Sequence, residues 1–380
     1  MRLVSATIYA LHIPFTEAFK HSAKERTFSD SVIIRVQDEA GTEGFGEGVP
    51  RPYVTGETAD LMIKHLAHDL WPASADRELP VLQDEADLAA LDTFIPQQEI
   101  PGVLSDNAGR AALELATLDC TLRRQRMSAA QILRPRRQKV IYSGVITAGS
   151  LEKTLQHVRQ MKLIGLKHIK VKVGMEDDVT RLRAIREALG PDVSLRVDAN
   201  GAWTLDEAIK ILNAIAPLDI AAVEQPLARG PVANLKHLKQ ASPIPLMADE
   251  SLVTLADADE LITQQAADYF NIRVSKCGGL ARSLAIARRA ASAGIRVQVG
   301  SQVGETAILS AAGRHLAASL EEVAFVEGSY GALLLTEDIS ADGVRFGHRG
   351  EAPILTGPGL GIRVLEDRLR KYARKIIELS

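Results

Sequence analysis

The sequence predicts an α/β protein, a β/α barrel preceded by a smaller domain of antiparallel strands and helices. Three observations carry this. From about residue 140, eight short apolar runs alternate with helical segments, the pattern of a parallel barrel. Before residue 50, strand candidates follow one another with no helix between them, as in an antiparallel sheet. Finally, Asp198 in SLRVDANG, Glu224 in AAVEQP and Asp249 in PLMADES end three consecutive apolar runs. They lie 26 and 25 residues apart, about one strand-helix unit of a barrel.

Bulk properties narrow the class. A chain of 380 residues has room for a barrel and a second domain. A net charge of −3 gives no footprint for nucleic acid, and no apolar run approaches membrane-spanning length. The opening MRLVSATIYALHIPF alternates like a strand and lacks the continuous core of a signal peptide. Cys120 and Cys277 are too few for a disulfide framework. A cytoplasmic homo-oligomer is expected, acting on a small molecule, with no nucleic-acid or membrane partner.

Residues 1–130 form the expected first domain. They hold two or three strands, among them 31–36, a Gly-rich turn at 44–48, and helices over 57–70 and 106–125. The second helix carries an apolar stripe of Ala111, Leu115, Leu118 and Leu122. A basic, solvated connection follows at 134–139. The barrel occupies 131–355. Its strands are expected at 140–145, 168–173, 194–199, 221–226, 245–249, 269–274, 296–301 and 324–329. Helices fall between them, for example at 177–189, 205–215 and 281–293. The tail, 356–380, is Gly-rich and then helical, and packs back on the first domain.

Strand ends on one face of a barrel converge, and three carboxylates there suit a hard divalent cation, Mg2+ or Mn2+. One Asp at a strand end is commonly a helix cap; three at matched positions point to a metal-assisted enzyme. HIKVKVG adds Lys170 and Lys172, two apart and therefore on one face. Mutual repulsion and burial are both expected to lower a lysine pKa and make a base. Glu250 either points outward or stands behind the metal, and Asn200 either faces inward or turns the chain. No histidine stands at a strand end beside the acids; His21 reads as a surface residue. Cys277 has no adjacent base.

With KVK, DANGAW, EQP, ADES, NIRVSKCGG and GALLLTEDI, the chain resembles the enolase superfamily, in its muconate lactonizing enzyme subgroup. The resemblance spans nearly the whole sequence. It implies a modified (β/α)8 TIM barrel with an N-terminal α+β capping domain. It further implies Asp198, Glu224 and Asp249 as ligands of Mg2+ or Mn2+, Lys172 as acid/base and Lys170 as its electrostatic neighbour. The shared chemistry is removal of a proton α to a carboxylate, giving a metal-stabilised enediolate.

Departures from the pattern matter. A second catalytic lysine is usual on the sixth strand, where this chain has Arg273. Lys276 follows three residues later, with opposite strand parity. Arginine cannot shuttle a proton at neutral pH, though it can stabilise an enolate, bind a carboxylate, or serve as a structural ion-pair partner. The Asp-x-Asp pair of dipeptide epimerases is replaced by Gly328 and Tyr330. Glu305 and Glu327 are displaced from the usual positions of acids. The resemblance therefore implies an isomerase of the muconate cycloisomerase kind acting on a small carboxylate. Alternatives are a racemase or epimerase of an amino-acid derivative, a syn-dehydratase such as an o-succinylbenzoate synthase, or a binding protein that has lost activity. Specificity is expected from residues 15–30 and 50–56.

Overall fold

The computed structural model describes residues 1–380 except 22, 23, 98, 148 and 342, and the side chains of all of these except 20, 21, 24 and 25, so the reading of His21 lies outside the described side chains. Strands β1 (Leu3–Leu11), β2 (Ile13–His21), β3 (Lys24–Ser29), β4 (Val32–Asp38) and β5 (Glu43–Gly48) fill the first 48 residues. Two or three were expected. The polar residues of β2 and β3 hide a hairpin that forms a two-stranded sheet of its own.

Residues 44–48 are strand, not turn. Gly44, Gly46 and Gly48 face the helix Asn107–Arg124, and a Cβ on any of them would overlap the carbonyl oxygen of Ala116, Ala112 or Ala108 respectively. Glycines every second residue on a strand advance about as far as alanines every fourth residue on a helix. The glycines thus serve close packing, which is why they read as a turn. The earlier helix is broader than expected, Ala59–His65 continuing through a wide π turn at Leu66–Leu70 to Ser74.

β6 (Lys139–Ile141) comes next, then β7 (Gly144–Ile146), β8 (His168–Lys172), β9 (Ser194–Asp198), β10 (Ile220–Glu224) and β11 (Leu246–Ala248). They are followed by β12 (Tyr269–Ile272), β13 (Arg296–Val299), β14 (Phe325–Val326), β15 (Glu351–Pro353) and β16 (Ala373–Leu379). Strands β7 to β14 form one parallel sheet in sequence order. Ser143 N donates to Val326 O at 2.8 Å, bringing the sheet's first and last strands together. The fold is a modified TIM barrel under an N-terminal antiparallel cap. Expected strand 140–145 splits in two: β6 leaves the barrel to pair antiparallel with β15, and β7 alone joins it.

The tail differs from expectation. A short helix, Glu366–Tyr372, gives way to β16, which pairs antiparallel with β1 and completes the cap sheet in the order β16-β1-β4-β5. Half-buried Ile377 and Leu379 alternate with exposed Ile376 and Glu378, the period of an edge strand rather than a helix.

Candidate active site

Register builds the site. Lys172 of β8 pairs with Asp198 of β9, and Asp198 with Glu224 of β10, so the three side chains stand in one row across the barrel. Asp249 follows β11 directly. Each carboxyl-bearing strand end is then fixed. Asn200 and Gln225 take left-handed backbone just beyond β9 and β10, with φ of 47° and 37°. Gln225 Oε1 accepts from Asp249 N and Ser251 N, tying the ends of β10 and β11 together. Capping boxes at Thr204/Glu207 and Thr254/Asp257 start the next helices.

The acids are buried and share cationic partners. Lys172 Nζ donates to Asp198 Oδ2 and Asn200 Oδ1, both at 2.7 Å. Lys170 Nζ reaches Glu327 at 2.6 Å, Glu224 at 3.2 Å and Asp198 at 3.2 Å. Arg273 bridges Asp249 and Glu224. Lys276 Nζ donates to Asp249 Oδ1 at 2.8 Å and to the carbonyls of Asp249 and Asn271. All four basic residues singled out in the sequence therefore meet the three acids. Lys276 does so against the expectation from strand parity, because a turn after Ile272 brings it back inward. It stays beneath the acids, off the wall of the cavity above them.

Charge settles accordingly. Burial alone would depress the Lys170 ammonium, but Glu224, Glu327 and Asp198 outweigh it and raise its pKa. The expected lowering by lysine–lysine repulsion does not hold for Lys170, because three carboxylates stand within 3.2 Å of its nitrogen. Burial opposes ionisation of Asp198, yet Lys172 and Lys170 hold it well below the usual range. Glu224 is pushed up to about 7 by burial and by Asp198. Glu250 faces inward, accepts from Asn200, and is pushed to about 8 by burial and Asp249.

The sequence missed Asn271 and Gln298, which donate to Glu224 at 2.8 and 3.0 Å. It also missed Arg196, which lies 3.2 Å from Glu327 and stacks over Phe325. Arg196 shares the parity of Asp198, two residues on, and that signal was available.

Asp198, Glu224 and Asp249 offer the oxygen donors a hard divalent cation takes, from three neighbouring strands. Beside them Glu250 Oε2 is buried and makes no hydrogen bond. The donor chemistry fits such an ion. Among the described residues, however, no three acidic, histidine or cysteine side chains gather about one ion-sized point. The cationic side chains share their oxygens instead.

A cavity of about 470 Å3 opens over this cluster. Lys170, Lys172, Arg273, Glu305 and Glu327 line it, and Thr16–Phe19 of the cap close one side. Residues 50–56 do not line it. Arg51 instead pairs with Asp30 and reaches the carbonyl of Val303, bracing the far side of a cavity loop. Cys277 is buried with its thiol pKa raised by burial. No helix among the described residues is long and apolar enough to cross a membrane.

Known proteins agree with this architecture. The family described as enolase C-terminal domain-like matches residues 153–368. N-succinyl-L-Arg/Lys racemase of Bacillus cereus is 30% identical over 98% of both chains. A crystal structure of the N-succinyl Arg/Lys racemase from Bacillus cereus superposes with a TM-score of 0.90 at 29% identity, covering 100% of both chains. A dipeptide epimerase from Cytophaga hutchinsonii, complexed with Mg and D-Ala-L-Val, gives 0.88 at 28% identity over 100% of both chains. Muconate cycloisomerase 1-2 of Acinetobacter lwoffii is 28% identical over 99% of this chain and 97% of its own, a more distant match. The relatives thus favour the racemase and epimerase alternative over the cycloisomerase placed first from sequence. The chain belongs to the enolase superfamily, among the relatives of mandelate racemase and muconate lactonizing enzyme.

Proposed function

We propose that this enzyme moves the proton α to the carboxylate of an amino-acid derivative, as a racemase or epimerase, with Lys172 as acid/base. One observation carries the reading: Lys172 is at once on the cavity wall and 2.7 Å from Asp198, so a single nitrogen stands between the cavity and the acid cluster. Asp198 and Asn200 aim that nitrogen. As the neutral amine it takes the α-proton; as the ammonium it returns one. Lys170, pinned by Glu327 and Glu224, keeps its charge and supplies a fixed positive field. Asp198, Glu224 and Asp249 would hold Mg2+ or Mn2+, which when bound supplies positive charge to the substrate carboxylate as electrons move onto it.

Deuterium uptake at the α-carbon of N-acyl amino acids and dipeptides tests this. Exchange should depend on added Mg2+ after chelation and, for the enantiomer whose α-proton faces Lys172, fall at least ~100-fold in Lys172→Ala, the usual worth of a positioned acid/base. Exchange of that same enantiomer lost in Lys170→Ala and kept in Lys172→Ala would reverse the two roles. No exchange with any substrate would favour a binding protein.

Arg273 favours a second reading. It lines the cavity where a second lysine would be expected, and it stays protonated. Chemistry on one face alone, cycloisomerisation or syn elimination, needs no second base.

A further inference from the structure

We propose that Glu305 is the acid/base on the side of the α-carbon away from Lys172. The proposal rests on the racemase or epimerase reading above, which requires a group on each face that both loses and regains a proton. Arg273 cannot do so. Lys276 is spent on Asp249 and two carbonyls, away from the cavity.

Glu305 has the needed placement. It follows β13, the seventh strand of the barrel, whereas Lys172 ends the second, so the two rise from different walls of the same cavity. The side chain is buried, one oxygen accepts from Gln302 N at 2.6 Å, and among the described residues no cation pairs with it. Of the other buried glutamates among the described residues, Glu327 lines the cavity but is paired with Lys170, and Glu224 and Glu250 sit in the acid cluster off the cavity wall. Glu47, Glu57 and Glu114 all accept from backbone N–H groups at helix starts, and none lines the cavity. Burial, together with the charge of Glu47, pushes Glu305 up to about 8, so at neutral pH it carries a proton to give.

The cap holds it there. Ser29 and Ser31 donate to Gly304 O at 2.6 and 3.1 Å, and Glu47 accepts from Thr306 N and Oγ1 at 2.8 and 2.7 Å. The residues on both sides of Glu305 are therefore gripped from the other domain.

The protons balance. Neutral Lys172 removes the α-proton from one enantiomer, and the Glu305 carboxylic acid delivers one to the opposite face. The enzyme is left with Lys172 ammonium and Glu305 carboxylate, the pair that converts the other enantiomer back.

The test uses each enantiomer of an N-acyl amino acid or dipeptide separately in deuterated water. Glu305→Gln should lose inversion by ~100-fold or more. It should still exchange the α-proton of the one enantiomer that Lys172 serves, with retention, and lose exchange of the other. Lys172→Ala should show the mirror pattern, and Glu305→Asp should recover part of the inversion. Equal slowing of both enantiomers in Glu305→Gln, with a raised KM, would make Glu305 a substrate-binding group and overturn the assignment. Undiminished inversion would overturn it too. If the wild-type enzyme exchanges neither enantiomer, the α-proton reading itself fails, and this assignment with it.

Discussion

Arg273 holds together two carboxylates that would otherwise repel, and its guanidinium occupies the oxygens of Asp249 and Glu224. A divalent cation seeking those oxygens must compete with it. Charges about 4 Å apart interact by ~4 kcal/mol at an effective dielectric near 20, so the competition is not small. Arg273→Gln should therefore bind Mn2+ at least ~10-fold more tightly in calorimetric titration, while the metal-free protein melts lower. Unchanged or weaker Mn2+ binding would show that the arginine does not stand in the ion's way. At this scale, what could be read from sequence followed strand periodicity. Lys170, Lys172 and the three acids declared themselves by parity and by even spacing. Asn271 and Gln298 did not, since an amide inside a strand has no distinguishing neighbour until the barrel curls. Lys276 and Glu305 reach the centre through turns, where no period constrains direction.

Among the elements, the helix Asn107–Arg124 packs inside the cap and also reaches the barrel. Its alanines lie against the glycines of β5, and Glu114 accepts from Leu280 N and Ala281 N, at the start of a barrel helix. Gly46→Ala would push a methyl into the Ala112 carbonyl with no side chain to yield. It should cost upwards of ~3 kcal/mol in urea unfolding or abolish soluble protein. A loss under ~1 kcal/mol would mean that the helix can back away. Burial pushes Glu114 up to about 7 from 4.5. Between those values the unfolded chain has released the proton and the folded one has kept it, so stability falls as pH rises. Relative to Glu114→Gln, the wild type should lose on the order of 3 kcal/mol from pH 4.5 to 7.5. A difference that does not vary with pH would contradict this. Gly44–Gly48 read as a turn from sequence because close packing and chain reversal call for the same residue.

For the whole molecule, alternation of strand and helix makes the barrel legible in the sequence alone, since each unit repeats the same local solution. The cap is less so. Its hairpin, β2 and β3, lacks a clean apolar face, and β16 finds its partner more than 360 residues earlier along the chain. That pairing bears on synthesis. The barrel lies, in sequence, between two parts of a single sheet, so a ribosome makes β1, β4 and β5 long before the strand that covers β1's open side. Until β16 emerges, the row of amide and carbonyl groups along β1 stays bare, an invitation to any other unfinished chain nearby. Growing copies of this protein are in most danger from one another during the interval in which the barrel is being made.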